Sequence, residues 1–320
     1  MTESTYTYRF SVFTATKNRS EMLYRLYGEL LNQTYSDFEW VIVNDGSTDD
    51  TDKVAQRIIS EAKLNVQYVN KQGGGKHTAW RAATPLFKGR YVVTADDDDP
   101  VTNDMLEVFN KHWTILESRS DYDQFWEVKT RCKRTDGTLV GKPFSQDIID
   151  SDYISMSYKH HVFCEMVGCR KVEVLRNEAK VPDVFPFQNY ASNFDEAIRW
   201  CRAARRYKTR FVSDITRIYI ETPNSLSSNI LIRCLDGDKR ITSNKMVELY
   251  YTILERRDIL LKHDIKRYFK TIFGYSLLIE LSEDKKEAVT GLPESQRIIL
   301  FIASPVAKLV VLFYKLWRHK

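Results

Sequence analysis

The chain is 320 residues long, 43% hydrophobic and 28% charged, with a net charge of +5. This composition excludes a disordered or repeat protein, and the length allows a full core, as one large domain with an extension or as two domains. Five cysteines without a C-x-x-C pair exclude a zinc ribbon or a dithiol redox motif.

Four apolar, β-rich runs, Phe10–Ala15, Trp40–Val43, Val66–Val69 and Tyr91–Ala95, predict strands. Helical patterns lie between them. Ser20 caps a predicted helix with Leu23, Leu26, Tyr27, Leu30 and Leu31 at helical spacing. Ser47–Val54 opens a second helix with acidic residues in its first turn, where the macrodipole favours them, and Gly74–Leu86 is a third. Alternating β and α units predict a mostly parallel sheet covered by helices on both faces, and such sheets bind ligands outside the carboxyl ends of their strands. Those ends carry Thr16, Lys17, Asn18 and Arg19, then Asn44, Asp45, Gly46 and Ser47, then Lys71 to His77, and finally Asp96 to Asp99. All four loops are expected on one edge.

Residues 119–190 alternate short apolar stretches with turns and predict a mixed sheet that forms a second wall of the site. A helix follows over Phe194–Tyr207, then strands over Thr209–Val212 and Thr216–Ile220. From about residue 239 the pattern is helical to the end. The last segment, Arg297–Trp317, is strongly apolar but interrupted by Pro305 and Lys308 and followed by a basic end. A spanning helix needs about 20 mostly apolar residues, so this segment is borderline, and it is read as an interfacial membrane anchor, with a buried packing helix and a true span as the alternatives. Met1–Tyr6 has neither a basic nor an apolar leader region, so a reduced, cytoplasmic setting is the expectation.

The aspartate run is the chemical centre of the sequence. Four adjacent carboxylates repel one another unless something cationic neutralises them. Oxygen-only ligands suit Mg²⁺ or Mn²⁺, ions that commonly share their shell with substrate phosphates, whereas the plain alternative is a solvated acidic turn before the helix near Thr102. No G-x-G-x-x-G follows the first strand. The run Gly73–Thr78 fails as a P-loop, with Asn70 where a glycine and His77 where Ser or Thr is required. Its glycines instead allow close backbone approach to a ligand, and Lys76 offers a point charge to a phosphate.

Ser11–Arg19, Gln33–Asp49, Gly73–Ala79 and Gly89–Asp99 together resemble the motifs of a family 2 (GT-A type) nucleotide-sugar glycosyltransferase of bacterial surface-polysaccharide biosynthesis. The resemblance covers residues 10–110, and residues 135–228 are similar more loosely. It implies an α/β GT-A fold, Rossmann-like, with a C-terminal helical extension. The implied domains are 1–228, divided into a nucleotide-sugar-binding half over 1–118 and an acceptor-side half over 119–228, and a helical extension over 229–320. It implies that Asp45 reads the nucleotide base, usually uracil, and that Thr16 touches base or ribose. Asn18, Gly74, Lys76, Asp96 and Asp97 complete the donor site. Asp96 and Asp98 form the D-x-D pair that holds Mg²⁺ or Mn²⁺, with Asp98 the direct ligand and Asp97 or Asp99 as substitutes within the run.

The general base of inverting members falls on Glu196, with Asp195 as the competitor, and first-turn helix acids are the plain alternative for both. Lys17, where an aromatic residue is usual, and Asp195, where proline is usual, depart from the family pattern. The implied reaction is metal-dependent, inverting transfer from a nucleoside diphosphate sugar, a UDP-sugar, to a glycan or lipid-linked oligosaccharide. It would occur at the inner membrane face and without nucleic acid. Trp126, Tyr153, Tyr158, Phe185 and Trp200 are sugar-stacking candidates or plain core. A nucleotidyltransferase acting on sugar phosphates and a non-catalytic nucleotide-binding scaffold are the rival readings.

Overall fold

The computed structural model describes residues 6–179, 196–220, 230–282 and 285–318. They fall into two compact units, Met1–Val181 with Trp200–Glu221, and Pro182–Arg199 with Thr222–Lys320.

The first unit opens with the expected alternation: β1 (Tyr8–Thr16), α1 (Ser20–Leu31), β2 (Phe38–Asn44), α2 (Thr51–Glu61), β3 (Val66–Asn70), α3 (Lys76–Ala83), β4 (Gly89–Thr94) and α4 (Met105–Glu117). It continues through β5 (Phe125–Arg134), β6 (Ile148–Ser151), β7 (Met166–Lys171), α5 (Val172–Ala179), α6 (Glu196–Ala204) and β8 (Lys208–Tyr219), with α6 beginning in the second unit's segment. The sheet runs β3-β2-β1-β4-β7-β5-β8-β6. β1 to β4 are parallel, β7 is antiparallel to both β4 and β5, β5 and β8 are parallel, and β6 is antiparallel to β8. The carboxyl ends of β1, β2, β3, β4, β5 and β8 therefore share one edge.

Alternation along the strands fills both faces. Phe10, Val12, Trp40, Ile42, Tyr91 and Val93 pack on one side with Leu23, Leu26, Tyr27 and Leu30 of α1 and with Phe109 and Trp113 of α4. Phe13, Val41, Val43 and Val92 pack on the other with Ala79, Trp80 and Ala83 of α3 and Val174 of α5. A strand buried on both faces reads as a continuous apolar run, which is why β2 was legible. Gly89 starts β4 because a Cβ there would lie 2.3 Å from Ser11 N.

Two elements differ from expectation. The strands predicted at Thr209–Val212 and Thr216–Ile220 are one strand, β8. Register shifts against β5 absorb the intervening residues as an irregularity. Ser213 N bonds Asp147 O and Asp214 pairs with His112. The segment before β7 holds a single π-helical turn, Ser155–Lys159, rather than extended chain.

The second unit contains α7 (Ile230–Leu235), α8 (Lys239–His263), α9 (Ile265–Leu281) and α10 (Glu294–Arg318). Leu300, Ala307 and Val311 turn one face of α10 inward. Phe301 (80% exposed), Ile302, Phe313 and Trp317 lie outside, so α10 is not a buried packing helix. Its stretch Glu294–Trp317 is long and apolar enough to cross a membrane by length and composition.

Candidate active site

The loops after β1, β2, β3 and β4 meet at the shared edge. Asp45, directly after β2, is 6% exposed. Its carboxylate accepts Lys71 Nζ at 2.6 Å, Gly74 N at 3.0 Å and Gly75 N at 2.7 Å. Burial works against the charge, but the Lys71 hydrogen bond and the two amides outweigh it and hold Asp45 below the usual carboxylate range. This cradle needs its glycines. Gly46 has φ +76°, and a Cβ on it would lie 2.6 Å from Gly73 N. Asn18, at φ 53°, ties the first loop to the second: its amide donates to Ser47 Oγ at 2.8 Å and its Oδ1 accepts Thr48 N at 2.7 Å. Thr16 is buried, and its carbonyl accepts the amide of Asp45.

The acidic run is compensated from within. Asp96 receives Lys76 Nζ at 2.6 Å on Oδ1 and Arg217 Nη1 at 3.2 Å on Oδ2. Arg19 Nη1 lies 2.8 Å from Asp97 and 2.9 Å from Asp98. Asp99 accepts the amide of Ile220 and lies 3.6 Å from Arg217. Arg217 also holds Glu165, at 3.1 Å, and its own side chain is 5% exposed. Burial pushes the Asp97 and Asp99 carboxyls up despite Arg19 and Arg217. For Asp96 burial is outweighed by Lys76, Arg217 and Arg19, and its pKa is lowered. Burial disfavours the Arg217 charge, but the carboxylates Asp96, Asp99 and Glu165 overcome it, and the guanidinium stays protonated.

Residues 11–160 match the description Glycosyl transferase family 2. They form a family 2 glycosyltransferase domain. Among relatives, glycosyltransferase GlyA of Streptococcus pneumoniae is 28% identical over 113 residues, 35% of this chain and 16% of that protein. Chondroitin synthase of Pasteurella multocida is 33% identical over 103 residues, 32% of this chain and 11% of that protein. The matched stretch is therefore a small part of each relative. Among solved structures, S. aureus TarS 1-349 in complex with UDP-GlcNAc has a TM-score of 0.55 at 16% identity, covering 93% of this chain and 90% of that one. Mannosyltransferase PcManGT from Pyrobaculum calidifontis, in complex with GDP-Man and Mn²⁺, has a TM-score of 0.55 at 15% identity, covering 99% and 89%. The fold is GT-A.

Within the family 2 domain the structure brings Thr16, Asn18, Asp45, Gly74, Lys76 and Asp96 to Asp99 to one edge. Asp97 is fully buried, which turns it away from solvent and toward Arg19. Glu196 is the first residue of α6, and Asp195 lies outside the described residues. Of the sugar-stacking candidates, Trp126, Tyr158 and Trp200 are buried, and Trp200 packs on Trp80 and Trp126 as core. Phe185 lies outside the described residues. Among the described residues no three His, Cys, Asp or Glu side chains gather as a metal-binding set. The run still fits a hard cation. Asp98 is a third exposed, with Oδ2 2.9 Å from Arg19, and Asp97 Oδ2 is buried without a hydrogen-bond partner among the described residues. One or two protein carboxylates, completed by substrate phosphate and water, suit Mg²⁺ or Mn²⁺. Arg217 and Glu165 were not singled out from the sequence. The one signal was that four aspartates require nearby cations.

Proposed function

We propose that this protein is an inverting glycosyltransferase that moves a sugar from a nucleoside diphosphate donor, a UDP-sugar, to a hydroxyl of a glycan or lipid-linked acceptor in surface-polysaccharide synthesis. The observation that carries the reading is the meeting of the Asp45 cradle with the acidic run at one sheet edge, with Lys76 reaching across to Asp96. Asp45 receives the base, Thr16 and Asn18 line the nucleoside, and Gly74 admits the diphosphate close to backbone. Lys76 meets its charge. Asp98 and Asp96 hold Mg²⁺ or Mn²⁺, which supplies charge stabilisation to the departing diphosphate. Glu196, with Asp195 as the competitor, takes the proton of the attacking hydroxyl, a role worth roughly 10²–10⁴-fold in rate. Residues 1–118 would serve the donor and 119–228 the acceptor. The exposed apolar face of α10, within 229–320, would make peripheral contact with the cytoplasmic membrane face. Support comes from structural neighbours bound to UDP-GlcNAc and to GDP-Man with Mn²⁺.

Calorimetric titration with UDP and then GDP, with and without Mn²⁺, tests the donor site in wild type and Asp98→Ala. Manganese-dependent UDP binding that the variant loses is the expected result. If neither nucleotide binds with metal present, the scaffold reading replaces this one. Release of pyrophosphate from a nucleoside triphosphate would favour a nucleotidyltransferase. Glu196→Gln is expected to lose turnover while keeping UDP affinity.

A further inference from the structure

The cations around the acidic run are not equivalent. Arg217 is 5% exposed and shared by Asp96, Asp99 and Glu165, so it has no route to a ligand without dismantling three contacts. Arg19 bridges Asp97 and Asp98 with one terminal nitrogen, and the buried Asp97 fixes it there. Lys76 differs. Its side chain is 42% exposed, about as much as that of Arg19 at 41%, but it stands at the first position of α3 beside the glycine loop, and its ammonium occupies Asp96 Oδ1. The other oxygen of Asp96 is taken by Arg217. An incoming cation would therefore find both oxygens of Asp96 engaged. A lysine is a compact point charge on a flexible stem, able to leave one anion for another nearby.

We propose that Lys76 is a displaceable counter-ion of Asp96 that couples metal binding to diphosphate binding. This rests on the donor site proposed above. Without nucleotide, Lys76 neutralises Asp96 and competes with a divalent cation. A diphosphate offers the ammonium a richer set of anionic oxygens, draws it off Asp96 and leaves that carboxylate to the cation. Each ligand then strengthens the other, because the coupling free energy between two sites is reciprocal. Lys76 acts here as a positioning residue, and its effect is read in binding without turnover.

The test uses the full chain and two probes, Mn²⁺ alone, followed by electron paramagnetic resonance of the free ion, and UDP, followed by calorimetry. In wild type, UDP should raise Mn²⁺ affinity by at least about tenfold, within the range of ordinary couplings. In Lys76→Met, Mn²⁺ alone should bind about fivefold more tightly than to wild type, UDP alone should bind more weakly, and the coupling should shrink. A lysine that only supports the fold would not tighten metal binding when removed. Lys53→Met, which removes an exposed lysine paired with Asp50 on α2, should leave all three constants unchanged. Unchanged or weaker Mn²⁺ binding to a folded Lys76→Met overturns the proposal while leaving the donor site intact. Failure of wild type to bind UDP or GDP with Mn²⁺ overturns both.

Discussion

Arg217→Met removes the one guanidinium that the acidic run shares with Glu165. The arginine side chain is 5% exposed and lies within 4 Å of three carboxylates, Asp96 at 3.2 Å, Asp99 at 3.6 Å and Glu165 at 3.1 Å. Glu165 is 55% exposed, so its share is a surface pair worth little. Asp99 is 9% exposed and also accepts the amide of Ile220. Breaking a buried pair by removing one partner costs about 3–5 kcal/mol. Lys76 still covers Asp96, which places the expected loss near the lower end, about 3 kcal/mol. For a unit of this size each kcal/mol moves the melting temperature by about 2–4 °C, so a drop of about 6–12 °C is expected.

The assay is calorimetric or circular-dichroism melting of wild type and variant, with and without saturating MnCl₂. Manganese should raise the melting temperature of Arg217→Met more than that of wild type, because a divalent cation replaces the missing charge. Arg217→Lys should recover only part of the loss, since an ammonium cannot span the carboxylates as the planar fork does. An Arg217→Met protein that melts with wild type would refute the assignment of Arg217 as the buried counter-ion of the run.

Asp45→Asn should abolish tight UDP binding in calorimetry and cost about 1.5–3 kcal/mol of stability in denaturant titration, because a charge-assisted acceptor of three donors is lost. Asp45 is depressed in the folded state, so its contribution is complete above the unfolded carboxylate value and disappears as pH falls through the folded one; the variant's stability should fall less steeply in acid. His112 is lowered by burial although Asp214, 3.0 Å from its Nε2, opposes the shift. The unfolded chain therefore holds the extra proton at higher pH, and wild-type melting temperature should decline as pH drops below about 6.5. His112→Gln should flatten that decline between about pH 5 and 7, and an unchanged slope would assign it to another group. Phe301→Ser, Phe313→Ser and Trp317→Ser together should reduce co-sedimentation with phosphatidylglycerol vesicles at least tenfold, given about 1.5–3 kcal/mol for each large apolar side chain buried. Equal sedimentation would remove α10 as a membrane contact.

What the sequence by itself determined is local and periodic. Runs such as Trp40–Val43 and the leucines of α1 identify their elements from neighbours a few residues away. The alternation of strand and helix then places Asp45, the glycine loop and the aspartates on one edge, because parallel strands joined by helices leave no other arrangement. The tertiary structure decided what depends on distant partners. Arg217 reaches Asp96 across 121 positions, and nothing in the spacing of either residue announces it. The union of two predicted strands into β8 depends on a bulge against β5, and the exposure of Phe301 and Trp317 depends on which face of α10 the rest of its unit leaves uncovered. Charge neutralisation and strand pairing are satisfied by whatever the fold brings within a few ångströms. They leave no period in the chain, and only the folded chain brings them together.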